Sequence, residues 1–191
     1  SEVSDPLDQL RNVDLSHLSK QEAKEFTLLL EELDLRDKRD SSAATFYDFV
    51  LNIWPEFIAG AHHKKMAEAF DKIANGESKR LIINMPPRHT KSEFASYLFP
   101  AYLLGKRPKL KIIEATHTAD LAINFGRRVR DLIESDDYAE IFPSTQLKAD
   151  SRSAGKWLTS QGGEYYASGI GGALAGRGAD LFIIDDPHSE Q

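Results

Sequence analysis

Two short apolar runs constrain this chain more than any other feature, because each leads into residues that handle phosphate. "RLIINM" (residues 80–85) passes into "PPRHTKS" and then into the amphipathic stretch "EFASYLFPAYLLG". That order predicts a strand, a tight loop and a helix. "LFIIDD" (residues 181–186) is a second apolar run, closed by two aspartates. A phosphate cradle needs backbone N–H groups at a helix start, a cation, and a hydroxyl for magnesium. It also needs a carboxylate at the end of a neighbouring strand. Lys91, Ser92 and Asp185 supply the cation, the hydroxyl and the carboxylate in that order.

Within the loop, Pro86 and Pro87 have no N–H to give and would fix the loop's entry. The donors fall to Arg88, His89, Thr90, Lys91 and Ser92. Lys91 would reach the outer phosphates and the Ser92 hydroxyl would ligate Mg²⁺. The strict pattern has glycine at both ends of the loop, whereas this chain has Met85 and Thr90. A positive φ at Thr90 would strain a β-branched residue. Asp185 fits the magnesium-side carboxylate. Asp186 fits the residue that orients or deprotonates an attacking water. Arg88, inside the loop, either stabilises charge on the transferred group or shapes the loop through an ion pair. The plainer alternatives are a proline turn with a surface lysine, and a strand ending in a polar turn.

The rest of the chain reads as an alternation of helices and strands. Ser19 and Glu22 have capping-box spacing ahead of a helix carrying Phe26, Leu29, Leu30 and Leu33, and "DKRDSSA" is expected to break it. A second helix runs through Phe46, Phe49 and Val50. A third, about 62–75, puts Met66, Ala67, Phe70 and Ile73 on one face and stops near Gly76. "KLKIIEAT" is a strand and "TADLAINFGRRVRDLIES" a helix despite Gly126. "GKWLTSQGGEYYASG" is a hairpin about Gly162-Gly163 with Trp157 packed inside, and "GIGGALAGRGAD" is a glycine-rich connection. Strands alternating with helices predict an α/β fold, with a mostly parallel sheet and helices on both faces.

The chain has 191 residues and no cysteine, which excludes disulfides and cysteine-rich zinc sites and favours an intracellular setting. The histidines do not show metal-ligand spacing. No apolar run is long enough to span a membrane, so no membrane partner is expected. The formal charge of -6 is uneven: residues 1–45 carry 6 basic and 11 acidic side chains. An acidic helical segment (1–45) therefore precedes a nearly neutral core (46–191). Such a balance argues against a surface that coats nucleic acid unaided.

From about Trp54 onward the sequence resembles the ATPase domain of the large terminase subunit, the DNA-packaging motor of tailed bacteriophages. The resemblance is carried by "HHKKMAEAFDKIANGE", "RLIINMPPRHTKSE", "FPAYLLG", "LAINFGRRVRDLIES" with "IFP", and "GGALAGRGADLFIIDDP". It implies a P-loop NTPase of the additional-strand (ASCE) type that uses ATP and Mg²⁺ to drive double-stranded DNA into a preformed capsid. It implies partners too: copies of itself in a ring on the portal, and the small terminase subunit. The setting implied is the host cytoplasm and, transiently, the procapsid portal. It matches Arg177, in "AGRGAD", to an arginine reaching a neighbour's ATP, and His63 to a residue contacting adenine. Trp54 and Phe57 stack nearby or belong to the core. The family's glycine before the lysine is Thr90 here, and its usual glutamate after the magnesium aspartate is Asp186. The family also places a strand between the loop strand and the acidic strand, and a nuclease domain beyond. Neither is expected within these residues.

Two other readings fit the sequence. One is a helicase-like, nucleic-acid-stimulated ATPase, for which Arg127, Arg128 and Arg130 form the only basic helix face. The other is an assembly module that docks a partner through residues 1–45 and no longer turns over.

Overall fold

The computed structural model describes residues 6–86, 90–151, 153–172, 174 and 176–188. Its N-terminal part is helical. α1 (Pro6–Arg11) is tied to α2 (Lys20–Ala44) by an Arg11–Asp34 ion pair at 2.8 Å. The expected capping box opens α2: the Glu22 N–H donates to Ser19 Oγ, and the Ser19 N–H donates to the Glu22 carboxylate. The expected break at "DKRDSSA" does not occur, and α2 continues to Ala44. None of those residues is a proline or glycine, so nothing in the segment stops a helix. The break comes at Thr45, whose extended backbone ends α2 and whose hydroxyl caps α3 (Phe46–Ile53).

α3 and α4 (Ala61–Ala74) start the core. Phe46 and Phe49 are fully buried, with Phe70, Phe94 and Phe99 packed around Phe46 at centroid distances of 4.6–5.6 Å among the rings. α4 buries Met66, Ala67 and Phe70 as its periodicity predicts, and Gly76 follows with φ of 75°. The helix after the phosphate-type loop is irregular. Residues Glu93–Leu98 form a π-helical segment that passes into α5 (Phe99–Lys106). Pro100 lacks the N–H for a regular bond and its ring crowds the preceding turn, and the widened segment lies just ahead of it.

The sheet has the order β2-β3-β1-β4. β1 (Lys111–Thr116) lies between β3 (Glu164–Gly169) and β4 (Leu181–Ile184), parallel to both, and β2 (Lys156–Leu158) joins β3 as the predicted antiparallel hairpin. Register puts Ile112, Glu114, Thr116, Tyr165, Ala167, Leu181 and Ile183 on one face. α6 (Ala119–Ile133) packs there, on β1 and β3. A Cβ on Gly126 would lie 2.4 Å from the Ala154 carbonyl oxygen, which is why a glycine interrupts this helix pattern. Trp157 stacks on Tyr165 at 4.9 Å and donates to the Gly126 carbonyl. α7 (Asp136–Ile141), absent from the sequence reading, adds Tyr138 to the core.

Two expectations need correction. Helices were expected on both faces, but those packed on the sheet lie on one face among the described residues. Right-handed crossovers in opposite directions use opposite faces. The step from β1 to β3 carries α6. The return step to β4 crosses the other face as the glycine-rich connection 170–180, in which no helix is formed among the described residues. Phe182 and Ile184 on that face are 48% and 56% exposed. The second correction is "RLIINM", which forms no strand. A strand needs a ladder partner, and a groove of about 870 Å³ separates this segment from the free edge of β4. Ile83 and Met85 still turn to the core while Ile82 is 93% exposed.

Candidate functional site

Of the sequence-predicted site residues, Lys91, Asp185 and Asp186 line the groove beside β4. Phe70, Ile73 and Phe99 make part of its apolar wall, and Lys79, Arg80, Lys91 and Arg107 supply cations. Asp185 and Asp186 stand in the same groove, just beyond the carboxyl end of β4. Outside the carboxyl ends of parallel strands is where open α/β sheets bind ligands. Pro87, Arg88 and His89 lie outside the described residues, and so do their expected roles.

Thr90 has φ of 61°, in the left-handed region, as the glycine comparison anticipates. Its carbonyl accepts the Phe94 N–H at 3.0 Å, so the helix begins at this residue. Lys91 and Ser92 follow in the first turn, both half-buried. His63, at the third position of α4, does not face an open cleft. Its ring is 7% exposed, packed edge-on against Phe57 at 4.7 Å and beside Phe94 at 5.7 Å. Its Nδ1 accepts the Gly60 N–H at 2.8 Å and its Nε2 lies 2.9 Å from Thr90 Oγ1. The nitrogens that would read a base are thus turned to the protein. Trp54 and Phe57 pack on each other at 4.9 Å against the core.

Asp185 is 5% exposed and continues the helical face of β4. Ser96 Oγ donates to its Oδ2 at 2.7 Å, and its own N–H donates to the Ala115 carbonyl. Asp186 is exposed, with φ of 45°, and its carbonyl accepts the His117 N–H at 3.0 Å. The two neighbours are thereby turned to different surroundings, one buried and one open. Among the described residues no group of three or more His, Cys, Asp or Glu side chains could hold a metal. Of the expected Mg²⁺ ligands, Asp185 lines the groove and Ser92 does not, and the hydroxyl bonded to Asp185 is that of Ser96.

Behind Asp185 lies a residue the sequence reading passed over. Glu114 is fully buried in the central strand, and neither carboxyl oxygen has a hydrogen-bond partner. Burial pushes its pKa well up and the Asp185 charge adds to the shift, while the Ser96 hydroxyl gives its one proton to Asp185. The Tyr165 hydroxyl beside it, also without a partner, is pushed well up by burial and by Glu114. The signal was visible: a glutamate in "KIIEAT", between two isoleucines and an alanine in a strand. Arg128, named above as part of a basic helix face, makes a two-pronged ion pair with Glu93 at 2.6 and 2.9 Å and covers the Tyr97 ring at 4.2 Å. It joins α6 to the segment that begins next to Ser92.

Arg177 is placed away from Asp185. Its guanidinium stacks on Tyr166 at 3.8 Å and pairs with Glu164 at 3.5 Å. Tyr166 lies on the sheet face opposite Asp185 and level with Phe182, three residues earlier in β4. That is roughly 10 Å along the strands at about 3.3 Å per residue. Comparison with protein-family models, curated proteins and solved structures finds no match, so the functional reading rests on the residues and geometry of this chain.

Proposed function

We propose that this chain is the ATP-binding and hydrolysing core of a terminase-type motor that translocates double-stranded DNA into a procapsid. One observation carries the reading. A lysine from the first turn of a helix and two aspartates from the carboxyl end of a parallel strand open on one groove, although 94 positions separate Lys91 from Asp185. In this reading the loop N–H groups and Lys91 bind the phosphates. Ser92 and Asp185 hold Mg²⁺, which neutralises phosphate charge when bound. Asp186, exposed and set apart by its own backbone twist, orients the attacking water and takes its proton. Arg177 serves a neighbouring copy in a ring, because its own Asp185 lies across the sheet. The further partners of this reading are the small terminase subunit and DNA.

Calorimetric titration with a non-hydrolysable ATP analogue, with and without magnesium, tests the reading. Magnesium-dependent binding that Lys91→Ala abolishes or weakens supports it. Equal affinity in the two proteins would remove Lys91, and with it the phosphate site. The assembly-module alternative draws on α2, where Leu28, Leu29 and Leu35 are each more than half exposed. No helix among the described residues is long and apolar enough to cross a membrane.

A further inference from the structure

The residue that takes the place of the loop glycine is attached to a histidine 27 positions earlier. Three observations bear on that bond. First, Thr90 is one of two non-glycine residues with positive φ among those described, and a β-branched side chain is poorly suited to that conformation. Second, the buried His63 lies against the Phe57, Phe94 and His62 rings, so its position is set by packing. Third, the Gly60 N–H points at Nδ1, which must therefore carry a lone pair. A neutral imidazole with a lone pair on Nδ1 has its proton on Nε2. The Nε2–H then donates to Thr90 Oγ1 at 2.9 Å.

We propose that His63 is a positioning residue: by donating to Thr90 it holds the loop's last residue in the left-handed conformation that a glycine would adopt unaided. The helix N-terminus and Lys91, one residue on, are aimed into the groove by that conformation. The effect of this bond on nucleotide binding rests on the ATP reading given above, whereas the bond's effect on the loop does not. His63 therefore acts through Thr90 and not on adenine. Capping and positioning are separable roles. The Nδ1 acceptor takes the Gly60 N–H, and an asparagine, whose Oδ1 is attached to Cγ as Nδ1 is, keeps that acceptor in place. The Nε2–H faces Thr90, and asparagine ends short of that position and cannot supply it.

The test is a cycle of His63→Asn and Thr90→Val, with Thr90→Ser and Thr90→Gly as references, read in two ways. Titration of the magnesium–ATP analogue should show His63→Asn and Thr90→Val each weakening binding about tenfold, the worth of one hydrogen bond, with no further loss in the double variant. Thr90→Ser should retain affinity. In the Thr90→Gly protein, His63→Asn should cost nothing more, because glycine needs no tether. Additive losses, or an undiminished loss in the glycine background, would overturn the proposal. The second readout needs no nucleotide. The same cycle in urea should show coupled shifts of the unfolding midpoint, and ¹⁵N NMR should find the His63 proton on Nε2. A proton on Nδ1, or independent midpoint shifts, also overturns it. Should no protein in the series bind nucleotide, the ATP reading fails and the urea cycle with the tautomer still decides the tether.

Discussion

Glu114 is the residue whose chemistry is most at odds with its place. A carboxyl group sealed inside a sheet is stable only with its proton on. In the unfolded chain the same group releases its proton near the ordinary carboxyl value. Because the folded pKa is raised, the folded state holds more protons than the unfolded state above that value, so stability falls as pH rises until the raised pKa is passed. Glu114→Gln removes the ionisation while keeping the shape. We expect its thermal midpoint to equal the parent's below the ordinary carboxyl value of 4.5, and to exceed it by a margin that widens as pH rises above that value. A margin that stays constant with pH would mean that Glu114 ionises in the fold as it does in water. The neighbouring residues give a sharper functional contrast. Lys91→Ala should weaken analogue binding by about 2 kcal/mol, the value of a hydrogen bond to a charged group. Asp185→Asn should damage magnesium-dependent binding and hydrolysis together, whereas Asp186→Asn should spare binding and stop hydrolysis. Normal turnover by Asp186→Asn in the active assembly would refute its role as the base.

At the scale of elements, what could be read in the sequence was whatever local spacing decides. The Ser19–Glu22 box, the apolar face of α4, the hairpin at Gly162 and the strands "KLKIIEAT" and "LFIIDD" all depend on near neighbours, and all are found. Thr90 was legible for the same reason, since the position demands a backbone angle that the residue type makes conspicuous. What escaped depends on partners distant in sequence. "RLIINM" has a strand's composition but no ladder, and no pattern within six residues reveals that. Glu93 and Arg128 form their ion pair across 35 positions, and the Ser96–Asp185 bond spans 89. Gly126 joins the two cases: it looked like a flaw in a helix and proves to be the point where α6 meets Ala154 and Tyr165. Gly126→Ala should therefore destabilise the protein by about 1–3 kcal/mol, as overpacking against rigid backbone does, despite alanine's better helix propensity. Urea denaturation measures this. A stabilised variant would show that the contact relaxes freely.

For the whole molecule the decisive fact is which face of the sheet each charged group occupies. Asp185 faces the helices, whereas Arg177 lies over Tyr166 on the other side, near the end where the parallel strands begin. An arginine so placed cannot reach phosphates bound beside its own Asp185 without leaving both Tyr166 and Glu164. It is half-exposed where it stands, available to a second copy. A residue acting across a boundary leaves binding to its own subunit untouched and contributes only when copies assemble. In an assembled ring, Arg177→Ala should keep ATP affinity and lose about 10³-fold in rate, the low end for an arginine finger. The isolated chain should turn over negligibly with or without the substitution. Mixing separates the two directions of action. Arg177→Ala subunits combined with Asp186→Asn subunits contain some interfaces with an intact Asp186 on one side and an intact Arg177 on the other. If Arg177 acts in trans, those interfaces hydrolyse ATP and the mixture recovers part of the lost rate. If it acts in cis, every active site lacks one of the two groups whatever its neighbour, and no rate returns. An inactive mixture, with mixed rings shown to form, would reject the trans assignment and move the role to Arg88 within the loop.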